Sequence, residues 1–177
     1  MPDKSETPTD RPLLRTNFRL ISKADEDHPE ARRHHSMVVY QHCAIKGAQF
    51  GSVASLVLGP PIFYLRGHRG GFLAQKTLQL SVFGVAAGML ASEAMCYMIL
   101  RKQPDEGVFD RAYRLSNSES QNRADVFSAV GAVTMAALAF RLPIGYMPGA
   151  CVGFGLGILA HCAYKPFAKR EPLTTAA

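Results

Sequence analysis

The sequence predicts an all-α, polytopic membrane protein with four transmembrane helices in two antiparallel hairpins. Two observations predict this fold: four apolar stretches alternate with polar or breaker-rich segments, and three of the four carry small residues at every fourth position. In an α-helix this spacing stacks the small residues into one groove. Such grooves let backbones approach closely inside lipid, where burial from water no longer drives helices together.

The small-residue stripes are the predicted sites of helix packing. They consist of Gly47, Gly51, Ser55 and Gly59 in the first span, Gly84, Gly88 and Ser92 in the second, and Gly149, Gly153 and Gly157 in the fourth. Because a bulky side chain in any of these grooves would separate the helices, we expect the stripes to mark the contact seams.

The four predicted spans lie in a membrane domain of residues 37–165. Their bounds are 38–58, 78–100, 126–140 and 146–164. A helix rises about 1.5 Å per residue and the hydrocarbon core is about 30 Å thick, so the first, second and fourth are long enough to cross. The third is short. It either takes in a turn from residues 123–125 or lies where the bilayer is thinned or partners cover its ends.

Polar segments and helix breakers separate the spans. A polar N-terminal arm covers residues 1–36, a polar connector covers 101–125, and a C-terminal tail covers 166–177. Gly59, Pro60 and Pro61 are expected to end the first helix, and the Pro- and Gly-rich segment 143–149 to separate the third from the fourth. The arm fits either an interfacial helix or a disordered segment.

Composition argues against several function classes. The net charge of +6 comes from short basic clusters without a domain-sized basic face, which excludes nucleic acid as a partner. Cys43, Cys96, Cys151 and Cys162 lie in or beside apolar spans at no metal or redox spacing, so we interpret them as small buried apolar residues. Histidines without matched ligands predict no metal site.

The sequence also lacks the usual signs of an enzyme. It has no nucleophile elbow, P-loop or zinc-hydrolase motif, and its glycine-rich run 153–157 follows no strand, so it does not fit a dinucleotide site. We therefore predict a protein that is not an enzyme and has no cofactor. His161 in the fourth span is expected to be a packed residue, because a proton relay needs a chain of such groups.

Lys46 and Glu93 are ionisable residues inside predicted spans. A charge at such a position costs about 2.5 to 3.5 kcal/mol on insertion scales, which makes each a functional candidate. Counting back from the hairpin turn places them at similar depth on antiparallel helices. The sequence thus predicts an intramembrane Lys46–Glu93 ion pair, unless both residues lie near the interface or contact a partner subunit.

Arg66 and Arg69 lie in the turn between the first two spans. Basic residues at a helix end can hold an anionic lipid headgroup, so a bound phospholipid such as cardiolipin is possible here. Charge does not fix the orientation of the chain, because the Lys and Arg count favours retention of the side with the termini, whereas the absence of acidic residues from 66–76 favours the opposite.

Local motifs resemble a known fold family. The segments 101–106 (RKQPDE) and 140–155 (FRLPIGYMPGACVGFG) resemble the four-helix accessory membrane subunit of respiratory complex I, which belongs to the fold family of the mitochondrial inner-membrane preprotein translocase channels. At the third span the translocase family has an Arg, an Asp four residues later and then glycines; here Arg123 and Asp125 are followed by Gly131, so the spacing is shorter than in that pattern. The motifs 112–115 (AYRL) and 121–125 (QNRAD) also resemble a small uncharacterised eukaryotic membrane family.

The resemblance implies a multi-pass protein of the mitochondrial inner membrane with both termini in the intermembrane space. It implies a non-catalytic accessory subunit of a respiratory complex, with complex I preferred, that supports assembly through contacts with other subunits and membrane lipid. One alternative is a component of an inner-membrane protein translocase. Another is a subunit of a different inner-membrane complex, such as ATP synthase, or a small transporter.

Overall fold

The computed structural model describes residues 31–141 and 145–168, with side chains over 34–141 and 145–164. Five helices follow one another in this part of the chain: α1 (Ala31–Leu65), α2 (Gly70–Leu100), α3 (Asp105–Ser116), α4 (Glu119–Phe140) and α5 (Tyr146–Ala168). Most of the predicted arm (1–36) and tail (166–177) lies outside the described residues.

The predicted all-α membrane fold is confirmed. Helices α1, α2, α4 and α5 are long and apolar enough to cross a membrane. Large apolar side chains point away from the bundle, as Phe50 (74% exposed) and Leu90 (73% exposed) illustrate. Because such side chains are stable in hydrocarbon and not in water, the chain is a multi-pass membrane protein.

The four spanning helices form two antiparallel hairpins, α1–α2 and α4–α5. Helix α1 is central, since it also packs against α3 and α5. Four crossings bring the beginning of α1 and the end of α5 to the membrane side that carries α3, which we term the α3 side.

Helix α1 does not end at the predicted breakers. It continues through Pro60 and Pro61 to Leu65, well beyond the predicted boundary at Leu58. Each proline removes only its own backbone N–H donor, and membrane helices tolerate such gaps because neighbouring groups satisfy the freed carbonyls. The chain remains helical after the prolines, and the Arg66 N–H donates to the Ile62 carbonyl at 3.2 Å.

The predicted polar connector 101–125 is largely helical. It contains all of α3 and the first turns of α4, so the short third span does take in residues 123–125. Helix α3 is amphipathic: Val108, Phe109 and Ala112 join the buried cluster that includes Val39 of α1 and Leu100 of α2. Helical spacing of these apolar residues explains why a charged segment docks on the bundle.

The outer face of α3 carries an exposed ion pair. Arg114 Nε donates to Asp110 Oδ1 at 3.1 Å, one turn apart. This hydrogen bond lowers the pKa of Asp110 below its ordinary value. A lowered pKa means that the pair stabilises the folded chain at neutral pH and that this contribution is lost as pH falls through that pKa.

The backbone conformation of the α1–α2 turn can be tested by substituting two of its glycines. Gly67 has φ +87° whereas Gly71 does not have a positive φ, yet an added Cβ would meet no atom within 4 Å at either position. We expect Gly67→Ala to destabilise the purified full chain by roughly 1–2 kcal/mol, because an L-residue is strained in the left-handed region. Gly71→Ala is the matched control and should be neutral or stabilising in thermal melts. Equal melting shifts would contradict the assigned turn.

Candidate functional site

The α1–α2 seam is built on glycines that face glycines. A Cβ added at Gly47 would overlap the Gly88 carbonyl, and one added at Gly51 would overlap the Gly84 carbonyl. Each glycine therefore permits a backbone contact that any side chain would prevent. The structure brings together the stripes predicted in the first two spans.

Serine hydroxyls continue this seam in both directions. Ser92 Oγ donates to the Cys43 carbonyl at 2.6 Å, and Ser55 Oγ donates to the Leu80 carbonyl at 3.2 Å. In both bonds the acceptor is a backbone carbonyl of a helix, so the serine side chain joins its own helix to the backbone of the neighbouring helix. At Gly59 the seam loosens, since an added Cβ would lie 3.2 Å from Leu80 and 3.3 Å from Thr77, both flexible side chains.

The α4–α5 seam uses the stripe predicted in the fourth span. Gly153 faces Gly131 of α4, and Gly157 faces the Phe127 carbonyl. Gly149 contacts Met135 and Ala139 in the same way. Sequence reasoning did not assign Gly131 to a seam, because α4 has a single glycine and so shows no repeat of small residues every fourth position.

A third contact joins the two hairpins. Ser52 Oγ of α1 donates to the Cys151 carbonyl of α5 at 2.6 Å. Gly155 lies beside Ser52, where an added Cβ would come within 3.0 Å of Leu56. The two hairpins therefore approach each other through α1 and α5.

A cluster of four polar side chains, Lys46 and Gln49 of α1 with Asp125 and Ser128 of α4, also links the hairpins; we call it the polar cluster. Lys46 Nζ lies 2.6 Å from Asp125 Oδ1 and donates to Gln49 Oε1 at 3.0 Å. Gln49 Nε2 donates to Asp125 Oδ1 and to Ser128 Oγ, both at 3.0 Å. One ion pair and two hydrogen bonds thus join α1 to α4, and the Lys46–Gln49 hydrogen bond lies within α1.

Because the polar cluster is largely buried, the pairing of its charges matters for the stability of the bundle. The Asp125 side chain is only 7% exposed and the Lys46 side chain 28%. Uncompensated charges at these positions would be costly in hydrocarbon, whereas the pair has no net charge and its carboxylate has two donors. Helices α1 and α4 make few close backbone contacts. The long side chains of Lys46 and Gln49 therefore span the gap between them.

The predicted Lys46–Glu93 pair is wrong in its partner, because Lys46 pairs with Asp125. The α1–α2 seam explains why. Cys43 meets Ser92 and Gly47 meets Gly88, so Glu93 lies level with His42, about one helical turn from Lys46. Within the described residues, Glu93 has no ion pair to Lys or Arg.

Sequence reasoning did not consider Asp125 or Ser128 as contacts of Lys46, and it considered Gln49 only in the translocase alternative, as a residue lining a polar cavity. Asp125 was the last residue of the predicted connector, so it was not considered as a charge inside the membrane. A usable signal was present: each helix places two polar residues three positions apart, Lys46 with Gln49 and Asp125 with Ser128, on one helical face.

The remaining candidate residues are placed as follows. Arg69 donates to the Tyr64 carbonyl at 2.6 Å and lies 3.7 Å from the centre of the Tyr64 ring. Arg66 is exposed in the same turn, and lipid binding by this turn remains a prediction. His161 is buried edge-on against Phe127, with ring centres 5.4 Å apart. The described residues contain no group of three metal-ligating side chains.

An apolar cavity of about 300 Å³ lies between the spanning helices. All four contribute to its walls, through Ala44 and Ala48 of α1, Val85 and Met89 of α2, Ala132 of α4, and Phe154 of α5. Its lining contains no charged side chain, and the Cys151 thiol is only a weak hydrogen-bonding group, so the cavity does not provide a polar path through the bundle.

These features define a four-span membrane protein in which glycine contacts hold each hairpin together and a partly buried ion pair joins the two hairpins. The chain belongs to the family described as "Protein of unknown function (DUF1757)", whose model matches residues 29–164. The matched region covers α1 to α4 and α5 as far as Tyr164. A comparison with curated proteins finds no match.

Proposed function

We propose that this protein is a non-catalytic accessory subunit of a membrane complex, which stabilises the assembly by helix packing. The observation that carries the proposal is the polar cluster. Its charges are paired with each other, the Asp125 side chain is buried, and Gln49 adds a second donor to the same carboxylate. A buried polar network used in this way fixes the arrangement of helices.

The outer surface supports the same role. The closest glycine contacts lie between helices of this chain. Broad apolar faces of α2 and α4 remain exposed, including Phe83 (74% exposed) and Val133 (71% exposed). These faces suit contacts with lipid and with the apolar helices of larger subunits. On the resemblance noted above, the assembly is a respiratory complex of the mitochondrial inner membrane, preferably complex I, with the α3 side facing the intermembrane space.

The transport alternatives have less support. The translocase hypothesis expects Lys46, Gln49, Ser92 and Glu93 to line a shared polar cavity. Instead, Lys46 and Gln49 contact α4, and Ser92 is bonded within the α1–α2 seam. The cavity between the spans is apolar. A proton or solute path needs a continuous series of polar groups.

Native purification tests the proposal. Membranes from cells that carry the affinity-tagged full chain are solubilised gently, and complexes are separated by native electrophoresis and quantified by mass spectrometry. We expect the chain to co-migrate with complex I in a fixed stoichiometry. We also expect its deletion to lower the amount of assembled complex severalfold, with turnover per assembled complex unchanged.

Complementation of the deletion supplies the matched control. Glu119→Gln, which alters an exposed ion pair of α4, should restore assembly, whereas Asp125→Asn should not. Migration of the wild-type chain by itself, with normal complex levels in the deletion strain, would contradict the proposal. Crosslinks of the chain to precursor proteins in transit would favour the translocase alternative.

A further inference from the structure

Two cysteines meet across the α1–α2 hairpin, away from the polar cluster. Cys96 of α2 is buried in the core cluster beneath α3, and Cys43 of α1 packs against that cluster. Gly47 and Ser92 are related in the same way one helical turn further along the hairpin, and a Cβ added at Gly47 would lie only 2.6 Å from Ser92 Cβ. Sequence analysis did not predict this contact, because the two residues are far apart along the chain.

Helix geometry explains why the two thiols converge. The Cys43 carbonyl accepts a hydrogen bond from Ser92, and Cys96 lies one turn beyond Ser92 toward the α3 side. Every Cα–Cβ bond in a helix tilts toward that helix's own beginning. Because α1 and α2 are antiparallel, the side chains of Cys43 and Cys96 tilt toward each other.

The glycine seam holds the backbones near these cysteines close together. Gly47 lies one turn from Cys43 and contacts Gly88, where even a methyl group would overlap. A disulfide needs Cα atoms about 4.4 to 6.8 Å apart, which demands such a close approach of two helices. Other residue types at these seam positions would hold the helices too far apart.

We propose that Cys43 and Cys96 are the site of a reversible disulfide that cross-links α1 to α2. The bond forms by thiol–disulfide exchange with the disulfide of an oxidoreductase or of oxidised glutathione. One protein thiolate attacks that disulfide to give a mixed disulfide and one free thiol. The second protein thiolate then displaces the other half as a thiol, so two protein thiols are oxidised and one external disulfide is reduced.

The cross-link would hold the hairpin at its α3 side. The seam from Gly47 to Ser55 already fixes the middle of α1 against α2, and α3 docks over the ends that the disulfide would join. Opening of the hairpin would then require reduction. This inference concerns the chain's own redox chemistry and holds whichever assembly contains the protein.

The test uses the full chain in its native membranes, treated with the membrane-permeant oxidant copper–phenanthroline. Samples are denatured in detergent before alkylation, so that burial does not protect any thiol. We expect the oxidised chain to take up two alkyl groups instead of the four taken up after reduction. Peptide mass spectrometry should locate the two protected residues at Cys43 and Cys96.

Single substitutions make the result specific. In Cys43→Ser the Cys96 thiol should be alkylated after oxidation, and in Cys96→Ser the Cys43 thiol should be. Cys151→Ser and Cys162→Ser, which alter α5, should leave the protection of Cys43 and Cys96 unchanged. Four alkyl groups on the oxidised wild-type chain would overturn the proposal, as would a disulfide that involves Cys151 or Cys162.

Discussion

Asp125→Asn should destabilise the full chain by about 3–5 kcal/mol, the typical cost of breaking a buried ion pair by removing one partner. Asparagine is close to aspartate in shape but removes the negative charge, so the Lys46 ammonium would remain in the bundle with its charge unbalanced. We expect a large drop in the temperature at which the detergent-solubilised chain loses its monodisperse peak in size-exclusion chromatography.

The control for this substitution lies in the same helix. Glu119 pairs with Arg123 at 2.9 Å, but both side chains are more than half exposed. Exposed pairs contribute about 0–1 kcal/mol, so Glu119→Gln should shift the same midpoint only slightly. If the two carboxylate-to-amide changes had equal effects, burial of the Lys46–Asp125 pair would not be the source of stability.

Gly51→Leu and Gly153→Leu should each force a hairpin apart. Leucine at position 51 would occupy space held by the Gly84 backbone, and at position 153 it would overlap Gly131. Overpacking costs about 1–3 kcal/mol even when side chains can move aside, and here the obstacle is backbone. We expect loss of the monodisperse peak and rapid proteolysis of both variants in native membranes.

Two substitutions should leave that peak in place. Ala87→Leu adds the same side chain to an exposed position of α2, beside Gly88 but facing away from the seam. Ser118→Ala changes the residue before α4, whose side chain makes no capping hydrogen bond. A similar loss in Ala87→Leu would show that added bulk anywhere in a span is harmful, and that the glycine seams have no special role.

Sequence periodicity was sufficient to predict the membrane fold and most of the seam residues. Every-fourth glycines on α1, α2 and α5 were recognisable because close backbone contact in lipid leaves few other residue types possible. Gly131 was missed because it faces the α5 stripe alone, without a stripe on its own helix. A repeat of small residues in one helix does not reveal the contacting residue on a second helix that has no such repeat.

The polar cluster could not be derived in the same way. The choice between Glu93 and Asp125 as the partner of Lys46 depends on hairpin register and on the beginning of α4, and both are tertiary properties. A displacement of about one turn along the α1–α2 seam separates Glu93 from Lys46, and the predicted span boundary excluded Asp125. The Cys43–Cys96 contact could not be predicted from the sequence either, because it also depends on the register of the α1–α2 hairpin.

The central claim is that Lys46 and Asp125 join the two hairpins as one coupled pair. A double-mutant cycle with Lys46→Met, Asp125→Leu and the combined variant tests it most directly, using unfolding free energies of the full chain in detergent. We predict that the double variant is more stable than either single variant, because it leaves no buried charge without a partner. Additive losses, with the double variant least stable, would contradict the claim.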